Sequence, residues 1–92
     1  MPGKPEHSLA VHKKRIRYLA WHRGTKEADL ILGGFVDQHL EKMDAAGCQW
    51  FETLFHQADQ DILDWITGKT PTPEAFDNAI MDKIKTLDHM KK

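Results

Sequence analysis

Thr25-Lys26-Glu27-Ala28-Asp29-Leu30-Ile31-Leu32-Gly33-Gly34-Phe35-Val36 is the stretch that decides how this chain folds. Its apolar residues Ala28, Ile31, Leu32, Phe35 and Val36, continued by Leu40 and Met43, recur three and four apart, which is the stripe of a helix with one buried face. Gly33-Gly34 interrupts that stripe at about 1 kcal/mol per glycine relative to alanine. Paired glycines also let another helix, or a partner's backbone, come close.

Upstream, Gly24 marks a corner, since glycine commonly ends a helix in a left-handed conformation. Before it, Ser8 reads as the cap of a first helix running to about His22, with Leu9, Ile16, Leu19 and Ala20 inward and Val11, Tyr18 and Trp21 flanking. The run Lys13-Lys14-Arg15-Ile16-Arg17 then falls mid-helix and reads as a mostly solvated face. Residues 1–7, with two prolines and a glycine, read as a frayed tail.

Downstream, Asp44 reads as the cap of a third helix carrying Cys48, Phe51, Leu54 and Phe55, with Trp50 beside them. Asp59 reads as the cap of a fourth, through Ile62, Leu63, Trp65 and Ile66, closed by Gly68. Thr70-Pro71-Thr72-Pro73 is a stiff connector, and Pro73 suits the first position of a fifth helix. That helix would carry Phe76, Ile80, Ile84 and Leu87 and end in Lys91-Lys92, where cations favour the helix dipole. No segment alternates with Val/Ile/Thr enrichment. The expected fold is all-α, a compact bundle of about five short helices, one domain over residues 8–92.

Composition narrows the function. With 92 residues, the core is thin. One cysteine excludes an internal disulfide and a four-cysteine zinc site. Cys48 lies in an apolar stripe without a neighbouring cation, which suits an inert buried thiol better than a nucleophile. The six histidines (His7, His12, His22, His39, His56 and His89) fall into no metal-binding spacing, so scattered surface histidines are the simpler reading and no metal is expected. No Gly-x-Ser-x-Gly elbow and no phosphate-cradling glycine loop is present, so neither catalytic nor cofactor-binding residues are expected. No run approaches the ~18 apolar residues of a membrane span. The first residues lack the apolar core of a signal peptide. The expected location is bacterial cytoplasm, or the mitochondrial matrix after removal of a presequence.

Net charge is −1 but unevenly placed. Residues 1–26 hold seven Lys/Arg against one Glu, and the remainder is net −7. A basic arm on an acidic body can steer a partner. It weighs little for nucleic-acid binding: a second helix read as a recognition helix would carry Asp29, Asp37 and Glu41, which offer few donors to base edges.

His22-Arg23-Gly24-Thr25-Lys26-Glu27-Ala28-Asp29 gathers hydrogen-bonding groups at one helix–helix corner. The local explanation is a cap, with Glu27 reaching back to Gly24, Asp29 favouring the dipole and Arg23 solvated. The functional explanation is a protein-binding surface.

The chain resembles the SdhE family of succinate dehydrogenase assembly factors at this corner. The family's Arg-Gly-x-x-Glu is matched by Arg23, Gly24 and Glu27, and its following Asp and apolar run by Asp29-Leu30-Ile31-Leu32 and Phe35. Downstream, Phe51-Glu52-Thr53-Leu54, Asp59-Gln60-Asp61-Ile62 and Trp65-Ile66 before Gly68 keep the family's order and spacing over about residues 15–73. His22 stands where many relatives have a second arginine, Thr25 where an apolar residue is common, and Ala45-Ala46-Gly47 where several acids are common.

The resemblance implies a chaperone-like factor, not an enzyme. It would bind the flavoprotein subunit of succinate dehydrogenase or fumarate reductase and promote covalent attachment of FAD. The flavin bond would form on the partner's own histidine, and this chain, binding no FAD itself, would act by positioning. It implies partner-binding roles for Arg23, Gly24, Glu27 and Asp29, with His22 adding steering: Arg23 a planar fork for a partner, Gly24 a bare backbone at the contact and a position suited to positive φ. The expected free state is a monomer, without membrane insertion. Two alternatives stay open at this stage: an antitoxin that binds a small membrane-associated toxin, as some family members have been described, and a small helical DNA-binding regulator.

Overall fold

Polar side chains that satisfy the open amides of a helix start set three of the helix starts here. Thr25 is extended and its hydroxyl accepts from the Ala28 amide at 3.2 Å, starting a helix over Lys26–His39. Asp44 does the same for Ala45–Leu54, accepting from the Gly47 amide at 2.9 Å. Asn78 accepts from the Met81 amide at 2.9 Å and starts Ala79–Thr86. The computed structural model describes residues 5–90, with side chains from residue 9 onward. In chain order its helices are α1 (Pro5–Trp21), α2 (Lys26–His39), α3 (Ala45–Leu54), α4 (Asp59–Thr67) and α5 (Ala79–Thr86). Single 3₁₀ turns follow at Leu40–Lys42, Glu74–Phe76 and Asp88–Met90, and no strand occurs among the described residues. The all-α expectation holds.

Four boundaries differ from the sequence reading. α1 begins at Pro5 rather than after Ser8, where a missing amide and fixed φ cost a helix nothing. Of the expected tail, residues 1–4 lie outside the described residues, as does the Ser8 side chain. Asp59 is the first residue of α4 rather than its cap, which is Ala58. Pro73 opens only a 3₁₀ turn. The chain leaves it at Asp77, because Asn78 offers its side chain to a new helix start. α5 ends at Thr86, with Leu87 in the left-handed region at φ 58°, and Lys91-Lys92 lies outside the described residues. Gly68 closes α4 as expected, at φ 83°.

The core is the stripe of α2 (Leu32, Phe35, Val36, with Leu40 beyond it) covered by Ile16 and Ala20 of α1, Cys48, Phe51 and Leu54 of α3, and Ile62 and Ile66 of α4. α5 adds Met81 and Ile84, both fully buried, while Ile80 is only partly so. Phe76 tucks under the connector against Trp65, ring centroids 5.4 Å apart. The turn after α5 folds back on α2: His89 Nε2 donates to the Ile31 carbonyl at 2.8 Å, and its ring meets Phe35 edge-on at 5.2 Å. Cys48 is fully buried and burial pushes its thiol pKa up, which agrees with an inert thiol.

One glycine of the pair serves packing within the chain. The Trp21 ring lies directly over Gly33, where an added Cβ would come within 2.4 Å of it. Trp21 is fixed there by donating Nε1–H to Asp37 at 3.2 Å. At Gly34 the nearest atom to an added Cβ is His89 Cδ2 at 3.6 Å, an ordinary contact. Adjacent glycines therefore predict opposite signs. Gly34→Ala should stabilise by about 0.5–1 kcal/mol through helix propensity. Gly33→Ala should destabilise by about 1–3 kcal/mol because the indole must leave. Urea unfolding of both variants checks this.

Candidate functional site

The corner is built by three elements: the last turn of α1, the α1–α2 link, and the α3–α4 loop with the start of α4. Arg23 is its centre. Its side chain is only 8% exposed. Nε and Nη2 both reach Asp59 Oδ1, at 2.7 Å each. Nη1 donates to the Phe55 carbonyl at 3.0 Å and the Leu19 carbonyl at 3.4 Å, and Nη2 to the Gln57 carbonyl at 3.2 Å. The guanidinium also sits 5.1 Å from the Phe55 ring centroid. A planar fork suits this cluster of one carboxylate and several carbonyls.

Two carboxylates fix the backbone beside it. Asp29 Oδ1 accepts the Arg23 amide at 2.7 Å. Asp59 Oδ2 accepts the Gly24 amide. An added Cβ on Gly24 would lie 2.9 Å from that same oxygen, so a side chain here would have to displace the carboxylate. Positive φ is not the reason: Gly68 is the only glycine with it among the described residues. That corrects the conformational expectation for Gly24.

The sequence-derived site residues divide into two sets. Arg23 and Asp29 are turned inward, and the fork expected to meet a partner carboxylate or carbonyl cluster is filled by such a cluster within the chain. The solvated arginine of the local explanation is equally excluded. His22, Gly24 and Glu27 are exposed. Glu27 does not reach back to Gly24; Asp29 and Asp59 hold the corner's amides instead. His22 Nδ1 donates to the Tyr18 carbonyl at 2.8 Å, and its ring stacks on the Tyr18 ring at 3.9 Å. Tyr18 and Leu30 are exposed apolar residues, at 61% and 43%, on either side of the corner. Sequence reasoning did not place either at the site. Their signal was spacing: Tyr18 lies one helical turn before His22, and Leu30 one turn after Lys26. The outer surface is thus Tyr18, His22, Gly24, Thr25, Lys26, Glu27 and Leu30, on a backbone clamped from beneath.

The basic run of α1 is partly paired rather than freely solvated. Glu52, from the Phe51-Glu52-Thr53-Leu54 motif, accepts from Arg15 Nε at 3.0 Å and lies 3.1 Å from His12 Nε2 and 3.3 Å from His56 Nε2. Lys13 donates to the Glu41 carbonyl at 2.8 Å. Burial alone would raise the Glu52 pKa, but the bonds from Arg15 and His12, the Arg15 charge and His56 outweigh it, and the net shift is downward. A carboxyl lowered on folding adds stability above its unfolded pKa, and that stability is lost as pH falls through the folded value. The difference in Tm between the parent chain and Glu52→Gln, worth about 1 kcal/mol at neutral pH, should therefore shrink to nothing on acidification below the ordinary carboxylate range. A series of thermal melts across that range reads it.

A family model described as flavinator of succinate dehydrogenase matches residues 14–88. The chain belongs to this family. It is 36% identical over 72 residues to the FAD assembly factor SdhE of Acetobacter pasteurianus, covering 78% of this chain and 66% of that protein. It is 37% identical over 90 residues to the mitochondrial succinate dehydrogenase assembly factor 2 of Culex quinquefasciatus, covering 96% of this chain and 55% of that protein. With the mitochondrial assembly factor 2-B of Drosophila melanogaster the identity is 36% over 92 residues, covering 58% of that protein. The chain thus spans between 55% and 66% of the length of these relatives. The matched residues include the whole corner, with Asp59 and Glu52.

Proposed function

We propose that this chain is an assembly factor that binds the flavoprotein subunit of succinate dehydrogenase, and of fumarate reductase where that enzyme occurs, and promotes covalent attachment of FAD to it. Family membership supports the reading. The observation that carries it is the clamped corner, where Arg23, Asp29 and Asp59 are spent on holding the Gly24 backbone rigid and exposed.

Such a surface suits positioning. A preorganised contact loses little entropy on binding, so more of its interaction energy goes into ordering the partner. Holding the partner's histidine and flavin in a reactive arrangement can then contribute several kcal/mol without any reacting group on this chain. In this reading His22, Gly24 and Glu27 touch the partner directly, Tyr18 and Leu30 supply apolar anchors, and Arg23 and Asp29 act by holding the corner. The chain binds no FAD of its own, is a monomer when free, and works where its partner is assembled, in a bacterial cytoplasm or a mitochondrial matrix.

Deleting the gene tests this. In-gel fluorescence of the flavoprotein subunit should fall at least about tenfold, corresponding to a lost rate contribution of ~1.4 kcal/mol or more, and return when the gene is restored. Undiminished covalent flavin would sink the proposal.

A further inference from the structure

Apart from the exposed Glu27, the carboxylates of α2 face α1 and the link that follows it. Asp29 holds the Arg23 amide, Asp37 accepts from Trp21, and Glu41, just past the helix, pairs with Arg17 at 3.5 Å. Another flank of α2 faces lysines. Lys42 and Lys83, with the imidazole of His39, border a groove of about 330 Å³ between α2 and α5, with Phe35, Met43 and Ile80 as its apolar surface. No carboxylate lines it. An adjoining cavity of about 210 Å³ shares Phe35, His39 and Lys83 and adds Gln38, Asp88 and His89. Burial, then the charges of Lys83, His89 and Lys42, lower the His39 pKa, so positive groups converge here although residues 27–92 are net −7.

We propose that this α2–α5 groove is a second docking site, and that its occupant is a short acidic peptide segment carrying one bulky apolar side chain. The argument is complementarity. The apolar surface takes the apolar side chain, and Lys42 and Lys83 take flanking carboxylates. Lysines act as mobile point charges rather than forks, so they accept carboxylates in several orientations. The groove is at the small end for ligand pockets and half open, so it would leave a small organic acid largely in water. An extended chain laid along it covers both cavities. The groove shares no residue with the Arg23 corner, so this site stands or falls independently of the function proposed for that corner.

The test is an amide NMR titration of the full chain with the blocked peptide Glu-Glu-Leu-Glu-Glu. Shifts should cluster around Phe35–Met43 and Ala79–Ile84, with a dissociation constant on the order of 1 mM that weakens as salt rises to about 0.5 M. The peptide should also raise the His39 pKa, against the standing charges of Lys42 and Lys83, His89 and the opposing Asp88. The double variant Lys42→Glu/Lys83→Glu alters two exposed side chains, so it keeps the fold and should bind at least about tenfold more weakly. Gln-Gln-Leu-Gln-Gln should not bind. Absence of shifts, shifts confined to the basic face of α1, equal binding of the glutamine peptide, hexanoate binding as tightly as the peptide, or an unaffected double variant would each overturn the proposal.

Discussion

Arg23→Ala is expected to destabilise the domain by about 3–5 kcal/mol, the range seen when one member of a buried ion pair is removed. A domain of this length has only about 5–14 kcal/mol in total. The size follows from what the guanidinium leaves behind. Asp59 is 20% exposed and would keep its charge without a counterion. The carbonyls of Phe55 and Gln57 would lose their donor in a half-buried place. The α3–α4 loop would lose its tie to the end of α1. The fall in Tm should be on the order of 20 °C. Arg23→Lys keeps a charge but not the fork, and it cannot span Asp59 and three carbonyls together, so it should recover less than half of the loss. Thermal unfolding followed by circular dichroism separates these outcomes. An Arg23→Ala chain that melts within a few degrees of the parent would show the clamp to be idle. Because the corner's backbone is held from the same residues, covalent flavin in the partner should fall with stability in this pair of variants, and a cooler growth temperature should restore part of it.

Local features were legible where a residue acts on its own neighbourhood. Thr25 and Asp44 cap helices because a short oxygen-bearing side chain meets amides three residues on, and that signal is contained in the sequence spacing. Gly68 closes α4 for an equally local reason, its positive φ. Of the stripe from Ala28 to Leu40, Ala28, Leu32, Phe35, Val36 and Leu40 are buried and Ile31 is partly so. Asp59 and Arg23 were not legible in the same way. Asp59 has the composition and position of a cap, and nothing local distinguishes a cap from a carboxylate claimed by an arginine 36 residues earlier. Arg23 looked solvent- or partner-facing because a single arginine beside a glycine carries no sign of the carbonyls that converge on it from another loop. α5 was misplaced by one competing start signal, Asn78 prevailing over Pro73, and in the helix it starts Met81 is fully buried and Ile80 only partly.

Polar groups do crowd around Gly24, but most of that crowding is internal. This changes what a substitution at Gly24 means, and two variants are needed to interpret it. A Cβ at position 24 meets Asp59 Oδ2 at 2.9 Å. The carboxylate can move only by loosening its bonds to Arg23 and to the Gly24 amide, so Gly24→Ala should cost about 1–3 kcal/mol. Beyond its Cβ, an arginine at this exposed position runs into solvent. Gly24→Arg should accordingly lose no more stability than Gly24→Ala, to within about 0.5 kcal/mol. At the proposed partner contact the two should differ. Alanine adds one methyl-sized group to the contact, whereas arginine adds a long cation that must be seated or displaced when the surface is covered. Covalent flavin in the partner should be reduced a few-fold by Gly24→Ala and by about a hundredfold or more by Gly24→Arg, equivalent to at least ~2.7 kcal/mol of lost positioning. The discriminating quantity is the gap between the variants, since equal melts with unequal flavinylation place the loss at the interface. Equal flavinylation in both would mean that Gly24 serves only the Asp59 clamp, and the contact surface would then have to be sought at Tyr18, His22 and Glu27 instead.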